Sequence, residues 1–268
     1  MSANRPIRRA LTARAGLRAR RGVHAAVHRA WEWVQRHGEI TPETPGRHRF
    51  AYLGEGACIG FPVGAVYGEP WISIGDHTLV GTHVTISAGF VPGLDLGPDV
   101  VVRIGGSCSI GRGTHIVGHQ SIDIGDHVFT GPNVYITDQN HTYGDLHTPI
   151  GRQWPENNPV SIGDGCWIGT GAIILPGTRL GRNVAVAGGA VVRGEFPDHA
   201  VIGGVPAKIL RSHDKEHGWQ PPLRTDPLMS LDELATLSVS GLEGLQILQD
   251  RLREEAAARG DVLREETG

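Results

Sequence analysis

Residues 162–192 read IGDGCWIGTGAIILPGTRLGRNVAVAGGAVV, and an aliphatic residue returns at every sixth position: Ile162, Ile168, Ile174, Leu180, Val186 and Val192. A second, smaller residue falls four places into each repeat, at Cys166, Ala172, Thr178, Val184 and Ala190. It lies two before the next aliphatic, and residues two apart point to the same side of a strand, so each pair is expected to face one core. A period of six is not helical, and glycine and β-branched residues stand where a helix would need helix formers. The Gly-Asp, Gly-Arg and Gly-Asn steps between the pairs suit corners that require positive φ. Each hexapeptide therefore reads as one short strand and one corner. Three of them close a triangular coil of eighteen residues, and stacked coils pair in parallel about 4.8 Å apart.

The same period extends towards the N-terminus through Ile124, Thr130 and Ile136, then Ile104, Ile110, Ile116 and Ile122, then Ile74, Val80 and Ile86, and finally Leu53, Ile59 and Ala65. Their inward partners are Thr78, Val84, Thr114, Val128 and Val134, and the phase slips between Ile122 and Ile124. The repeat region predicts roughly six to eight coils of a mainly β solenoid. Two stretches leave it, Gly89 to Val102 and Thr142 to Pro159. The second is the more telling, because a long loop inside a compact solenoid usually serves a site, and this one carries Tyr143, His147, Arg152 and Trp154.

Three segments follow: residues 1–48, a basic helix and linker; 49–211, the solenoid; and 212–268, a second linker and a helical tail. The first holds nine arginines against the single acid Glu32 within residues 1–36, and reads as an amphipathic helix ending near Gly38. In the tail, Ser230 with Glu233 makes a capping box, and Leu242, Leu245, Leu248 and Leu252 continue a helical stripe. The tail is predominantly acidic.

Composition narrows the class. Glycine, at 39 of 268 residues, is about twice its ordinary share, which calls for many turns in a chain with no collagen period. A net charge of −3 gives no argument for nucleic acid. Cys58, Cys108 and Cys166 are odd in number and lack CxxC spacing, against a disulfide framework or zinc knuckle and in favour of a reducing cytoplasm. No apolar run is long enough for a membrane helix or reads as a secretory signal.

Three motifs carry the chemistry: Gly131-Pro132-Asn133-Val134-Tyr135-Ile136-Thr137-Asp138-Gln139-Asn140-His141, then Pro159-Val160-Ser161-Ile162-Gly163-Asp164-Gly165-Cys166-Trp167-Ile168-Gly169, and Gly203-Gly204-Val205-Pro206-Ala207-Lys208. In order and spacing they resemble the hexapeptide-repeat acyltransferases, most of all the galactoside, maltose and surface-polysaccharide O-acetyltransferases. The resemblance spans about Leu53 to Arg211. It implies a left-handed parallel β-helix, a homotrimer with active sites between subunits, and transfer of an acetyl or other acyl group from acyl-CoA to a hydroxyl, with a sugar or polysaccharide precursor as preferred acceptor and no metal required. His141 takes the family's general-base position, and a neutral imidazole near pKa 6.5 is suited to removing a hydroxyl proton. Asp138 or Asp145 could orient it, and Asn140 precedes it. His115 and His119, in the preceding coil, are candidates for the acceptor, and Tyr143 and Trp154 could stack on a sugar ring. By resemblance Trp167, Gly169, Thr170 and Gly188 line the coenzyme groove, and Lys208 and Arg211 meet its phosphates. Arg193 stands where relatives often carry lysine.

Two other classes compete. A γ-type carbonic anhydrase shares the fold and would draw zinc ligands from His83, His115, His119 and His141. A non-catalytic scaffold would bind the inner face of a membrane through its arginine-rich helix. The long excursion, the Asn140-His141 ending and the Val205-Pro206-Ala207-Lys208 terminus favour acyl transfer over the zinc enzyme, and an arginine-rich helix is more often a solvated or trimer-packing element than a membrane anchor.

Overall fold

A computed structural model describes residues 5–93 and 95–223. A long helix, Arg5–Gly38, leads into the solenoid. There the chain winds around three parallel sheets whose strands are mostly two to four residues long, since a triangular coil gives each wall only that much chain. The first wall runs from Tyr52–Leu53 to Glu195–Phe196, the second from Cys58–Ile59 to Ala200–Gly203, and the third from Val66–Tyr67 to Val191–Val192. Ile162 pairs with Leu180, Ile168 with Val186 and Ile174 with Val192, so one coil advances eighteen residues, as the period requires.

The inward columns form the core. Ile74, Ile104, Ile124 and Ile162 on the first wall are at most 2% exposed, and so are Ile86, Ile116, Ile136 and Ile174 on the third. The smaller inward residues, from Thr78 to Ala190, are equally buried. Each buried isoleucine contributes about 1.5–3 kcal/mol, and stacking makes the apolar column continuous. Ile122 and Ile124 both face inward on one strand, so the apparent phase slip is two extra residues in the corner before it.

Some expectations change. In the first coil Val66, not Ala65, pairs with Ile86, because the corner after Ile59 holds one residue more than a hexapeptide allows; Ala65 is exposed. Positive φ falls on the third residue after most of the repeating inward positions, as at Asn133 (58°) and Gly165 (69°), and not on the glycine directly after them. That glycine answers close approach instead: a Cβ on Gly163 would lie 2.6 Å from the carbonyl oxygen of Gly181 in the next coil.

The ends are closed by antiparallel pairing. At the first coil Ile40, just past the helix, exchanges backbone hydrogen bonds with Ile59 (3.0 and 2.9 Å), and Gly38 at the helix end packs against Phe61. At the other end Lys208–Asp214 pairs antiparallel with Ala200–Gly203 and with Gly218–Gln220. The expected boundary at Arg211 falls inside this strand, and the compact unit continues to Gln220. The expected C-terminal helix lies outside the described residues.

Candidate functional site

The excursions share one corner. Where the third wall turns into the first, the chain inserts a short helical turn at Glu69–Trp71, then residues 89–100, then the two extra residues of 118–121, then 138–159. The other corners of these coils stay short, so loops far apart in sequence are stacked on one edge. Trp71 Nε1 donates to the Gly97 carbonyl (2.7 Å), and the Gly89 N–H donates to that of Gly118 (2.8 Å), which ties successive insertions together.

Asp138 organises this edge. It is fully buried, and its carboxylate accepts from the backbone N–H groups of His119 (2.8 Å), Gln120 (2.7 Å) and Ser121 (2.7 Å). These donors have no ladder partner in a bulged corner, and one carboxylate satisfies all three. His119 is thereby held with its ring against Phe90, centroids 4.0 Å apart, and Phe90 in turn approaches Trp154 at 5.5 Å. The His119 Nδ1 is buried without a partner. Burial pushes the His119 pKa down, the Asp138 charge opposes that, and the neighbouring His141 adds to it.

His141 is exposed and follows a short antiparallel ribbon in which Gln139 pairs with Asn157 and Asn140 with Glu156. The Asn158 N–H donates to the Asp138 carbonyl (2.7 Å) and the Thr142 hydroxyl to the Trp154 carbonyl (2.6 Å), so the long excursion is closed at its neck. Neither proposed orienting carboxylate hydrogen-bonds His141. Asp138 is committed to the His119 corner. Asp145 accepts from the Thr148 hydroxyl (2.6 Å) and the His147 N–H (2.8 Å), which hold its carboxyl below the usual range. Tyr143 and Trp154 present most of their rings to solvent, Trp154 at 79%.

His119 and His141 are thus brought together, with Trp154 beside them. His115 is not part of this group: it lies on the flat third wall near Tyr135, ring centroids 6.5 Å apart. Phe90 was not singled out from the sequence; its signal is an aromatic at the start of the first excursion, one coil before the histidine corner.

The residues expected at the coenzyme lie elsewhere. Trp167 is on the second wall, 57% exposed, between Phe129 and Ala185. Gly169, Thr170 and Gly188 occupy the corner between the second and third walls, with the Gly189 N–H donating to the Thr170 carbonyl (2.9 Å). Arg193 is exposed on the corner that carries the insertions. Lys208 and the part-buried Arg211 stand on the closing strand. Within one chain Gly169, Thr170 and Gly188 therefore lie on a different edge from His141, while Arg193 shares the His141 edge. A cavity of about 440 Å³ opens between Tyr52, Asp76, Arg103 and His127, away from every candidate residue. Among the described residues no three His, Cys, Asp or Glu side chains converge on a metal position, and His83 and His115 stand apart from His119 and His141.

Comparison with known proteins adds to this geometry. Residues 159–194 match the family described as bacterial transferase hexapeptide (six repeats). A protein named as a probable acetyltransferase of Mycobacterium tuberculosis is 31% identical over 150 residues, covering 56% of this chain and 44% of that one. The galactoside O-acetyltransferase of Escherichia coli is 30% identical over 125 residues, covering 42% of this chain and 58% of that one. The chain thus spans about half the length of these curated relatives. A variant of an N-acyltransferase of Bacillus cereus, crystallised with dTDP and coenzyme A, superposes with a TM-score of 0.55 at 18% identity, over 66% of this chain and 91% of that one. Repeat and likeness together give the fold as the left-handed parallel β-helix expected above.

Proposed function

We propose that this chain, which carries the hexapeptide repeat of the bacterial transferases, is a coenzyme A-dependent O-acyltransferase acting on a saccharide hydroxyl, with His141 as general base. The observation that carries this is the exposed His141 at the end of a latched ribbon, on the one edge where insertions are stacked. The His141 imidazole takes the proton of the acceptor hydroxyl as its oxygen attacks the thioester carbonyl. The tetrahedral intermediate then collapses, the carbon–sulfur bond breaks, and the departing thiolate takes the proton. Donor and acceptor follow from the relatives, two of them named as acetyltransferases and one of these as acting on galactosides.

The assembly we propose is a homotrimer. Leu79, Phe129 and Trp167 are exposed along one column of the second wall, with Ser109 between the first two, and a neighbouring chain would cover them. That packing would also set the Gly169–Thr170–Gly188 corner of one chain beside His141 of the next and enclose the pantetheine between them, with Arg193, Lys208 and Arg211 as cations for the phosphates. The location we assign is cytoplasmic, where free Cys58, Cys108 and Cys166 stay reduced. No described helix is long and apolar enough to cross a membrane. Val23, Val27 and Trp31, exposed at a spacing of four among Arg20, Arg21 and Arg29, would allow the first helix to rest on an anionic bilayer.

The test is thiol release from acetyl-CoA across a panel of sugars and nucleotide sugars. Acceptor-dependent release should fall at least about a hundredfold in His141→Ala. Undiminished release in the variant would remove His141 from the mechanism.

A further inference from the structure

His119 combines three features that the fold alone does not require. Its backbone is clamped by Asp138, its ring is pressed on Phe90, and its Nδ1 is buried without a hydrogen-bond partner. A buried N–H with nothing to donate to is rarer in folded proteins than an under-used acceptor. The arrangement favours the tautomer that keeps the Nδ1 lone pair inside and carries the proton on Nε2. Burial, with His141 nearby, holds it neutral despite Asp138. The edge then holds two imidazoles in different settings: His141, exposed, and His119, a half-buried donor. Beside them the Trp154 ring stands 79% exposed, fixed by its contact with Phe90 and by the hydrogen bond from Thr142 to its carbonyl.

We propose that the Nε2–H of His119 and the open face of Trp154 form the acceptor subsite, shaped for a pyranose ring whose reacting hydroxyl faces His141. A pyranose has an apolar C–H face and a rim of hydroxyls. An indole plane takes the first, and a fixed neutral donor takes one oxygen of the second. A donor held this way discriminates strongly, because an acceptor lacking the matching oxygen leaves the N–H unpaired on binding. The assignment rests on the acyl-transfer reading and deepens it. His119 is a specificity residue here and takes no proton in the reaction.

The first test needs no acceptor. In protein labelled with ¹⁵N-histidine at pH 7.5, the resonance missing from His119→Gln should be a neutral ring protonated on Nε2; a ring protonated on Nδ1, or a charged one, overturns the assignment. The second uses methyl β-D-galactopyranoside and methyl α-D-glucopyranoside as acceptors, with acetyl-CoA as donor. His119→Gln and Trp154→Ala should each raise the acceptor KM at least about tenfold, leave the acetyl-CoA KM within about twofold, and keep the pH limb of the general base. Trp154→Ala removes a mostly exposed side chain, so its result does not depend on folding. Acceptor KM values within about twofold of wild type in both variants overturn the subsite and leave the enzyme's function standing. Wild-type turnover of serine or chloramphenicol but of neither pyranoside overturns the subsite and the saccharide acceptor with it, and leaves acyl transfer standing. Absence of acceptor-dependent thiol release with all four overturns acyl transfer together with it.

Discussion

Burial of the His119 ring beside Phe90 disfavours its charged form, and this makes the stability of the fold depend on pH. The unfolded chain offers His119 an ordinary pKa near 6.5, while burial lowers the folded value. Below about pH 6.5 the unfolded state therefore binds the proton more readily. The stability His119 allows is intact above that pH and is lost as pH falls through the lowered folded value. Between pH 7.5 and 5, the Tm of wild type should fall more than that of His119→Gln, as followed by circular dichroism; parallel slopes would contradict the buried neutral ring. At this scale the sequence was only partly legible. The motif ending in His141 could be read, but Asp138 could not be assigned from spacing, because its three backbone partners arise only when residues 119–121 bulge beneath it. Phe90 escaped for the same reason: its neighbours are chosen by stacking and not by sequence distance.

Short strands need no long-range information to be recognised when every coil repeats the same inward pair, so the walls were readable at the level of the element. Errors came where a corner departed from the repeat, as between Ile59 and Val66. The glycines were recognised as corner residues, but two distinct demands were merged. Gly163 is needed because a Cβ would press 2.6 Å from a backbone oxygen, while Gly171 has nothing within 4 Å and sits at φ +67°. The two should answer differently to substitution. Gly171→Asn is expected to remain near wild type, since asparagine tolerates left-handed backbone and stands at the equivalent place at Asn133 and Asn183. Gly163→Asn should lose about 1–3 kcal/mol, as Gly163→Ala should, because backbone cannot swing aside. Chemical denaturation of the three variants decides this, and equal losses for Gly171→Asn and Gly163→Asn would refute the distinction.

Across the whole β-helical unit, the separation of His141 from Thr170 and Gly188 by one wall could not be read from their order in the chain. It becomes apparent only when the walls are numbered and the corners compared. If each site is shared between chains, two defective proteins should repair one another. His141→Ala and Gly188→Trp would each be nearly inactive alone. Refolded together in equal amounts, they should recover about a quarter of wild-type activity, since half the chains supply each intact edge at random. Mixed oligomers that form without regaining activity would place donor and base on a single chain.

The latch between Asp138 and Asn158 has a further meaning. The chain leaves the frame and returns to it at two points joined by one backbone hydrogen bond of 2.7 Å, and the coil on either side is continuous without the intervening loop. The loop is in this sense an exchangeable cassette: its contents can be rewritten while the walls that hold it stay in register. Loop and frame are thus open to alteration one at a time, whereas His119, clamped by Asp138 in the neighbouring corner, stays with the frame.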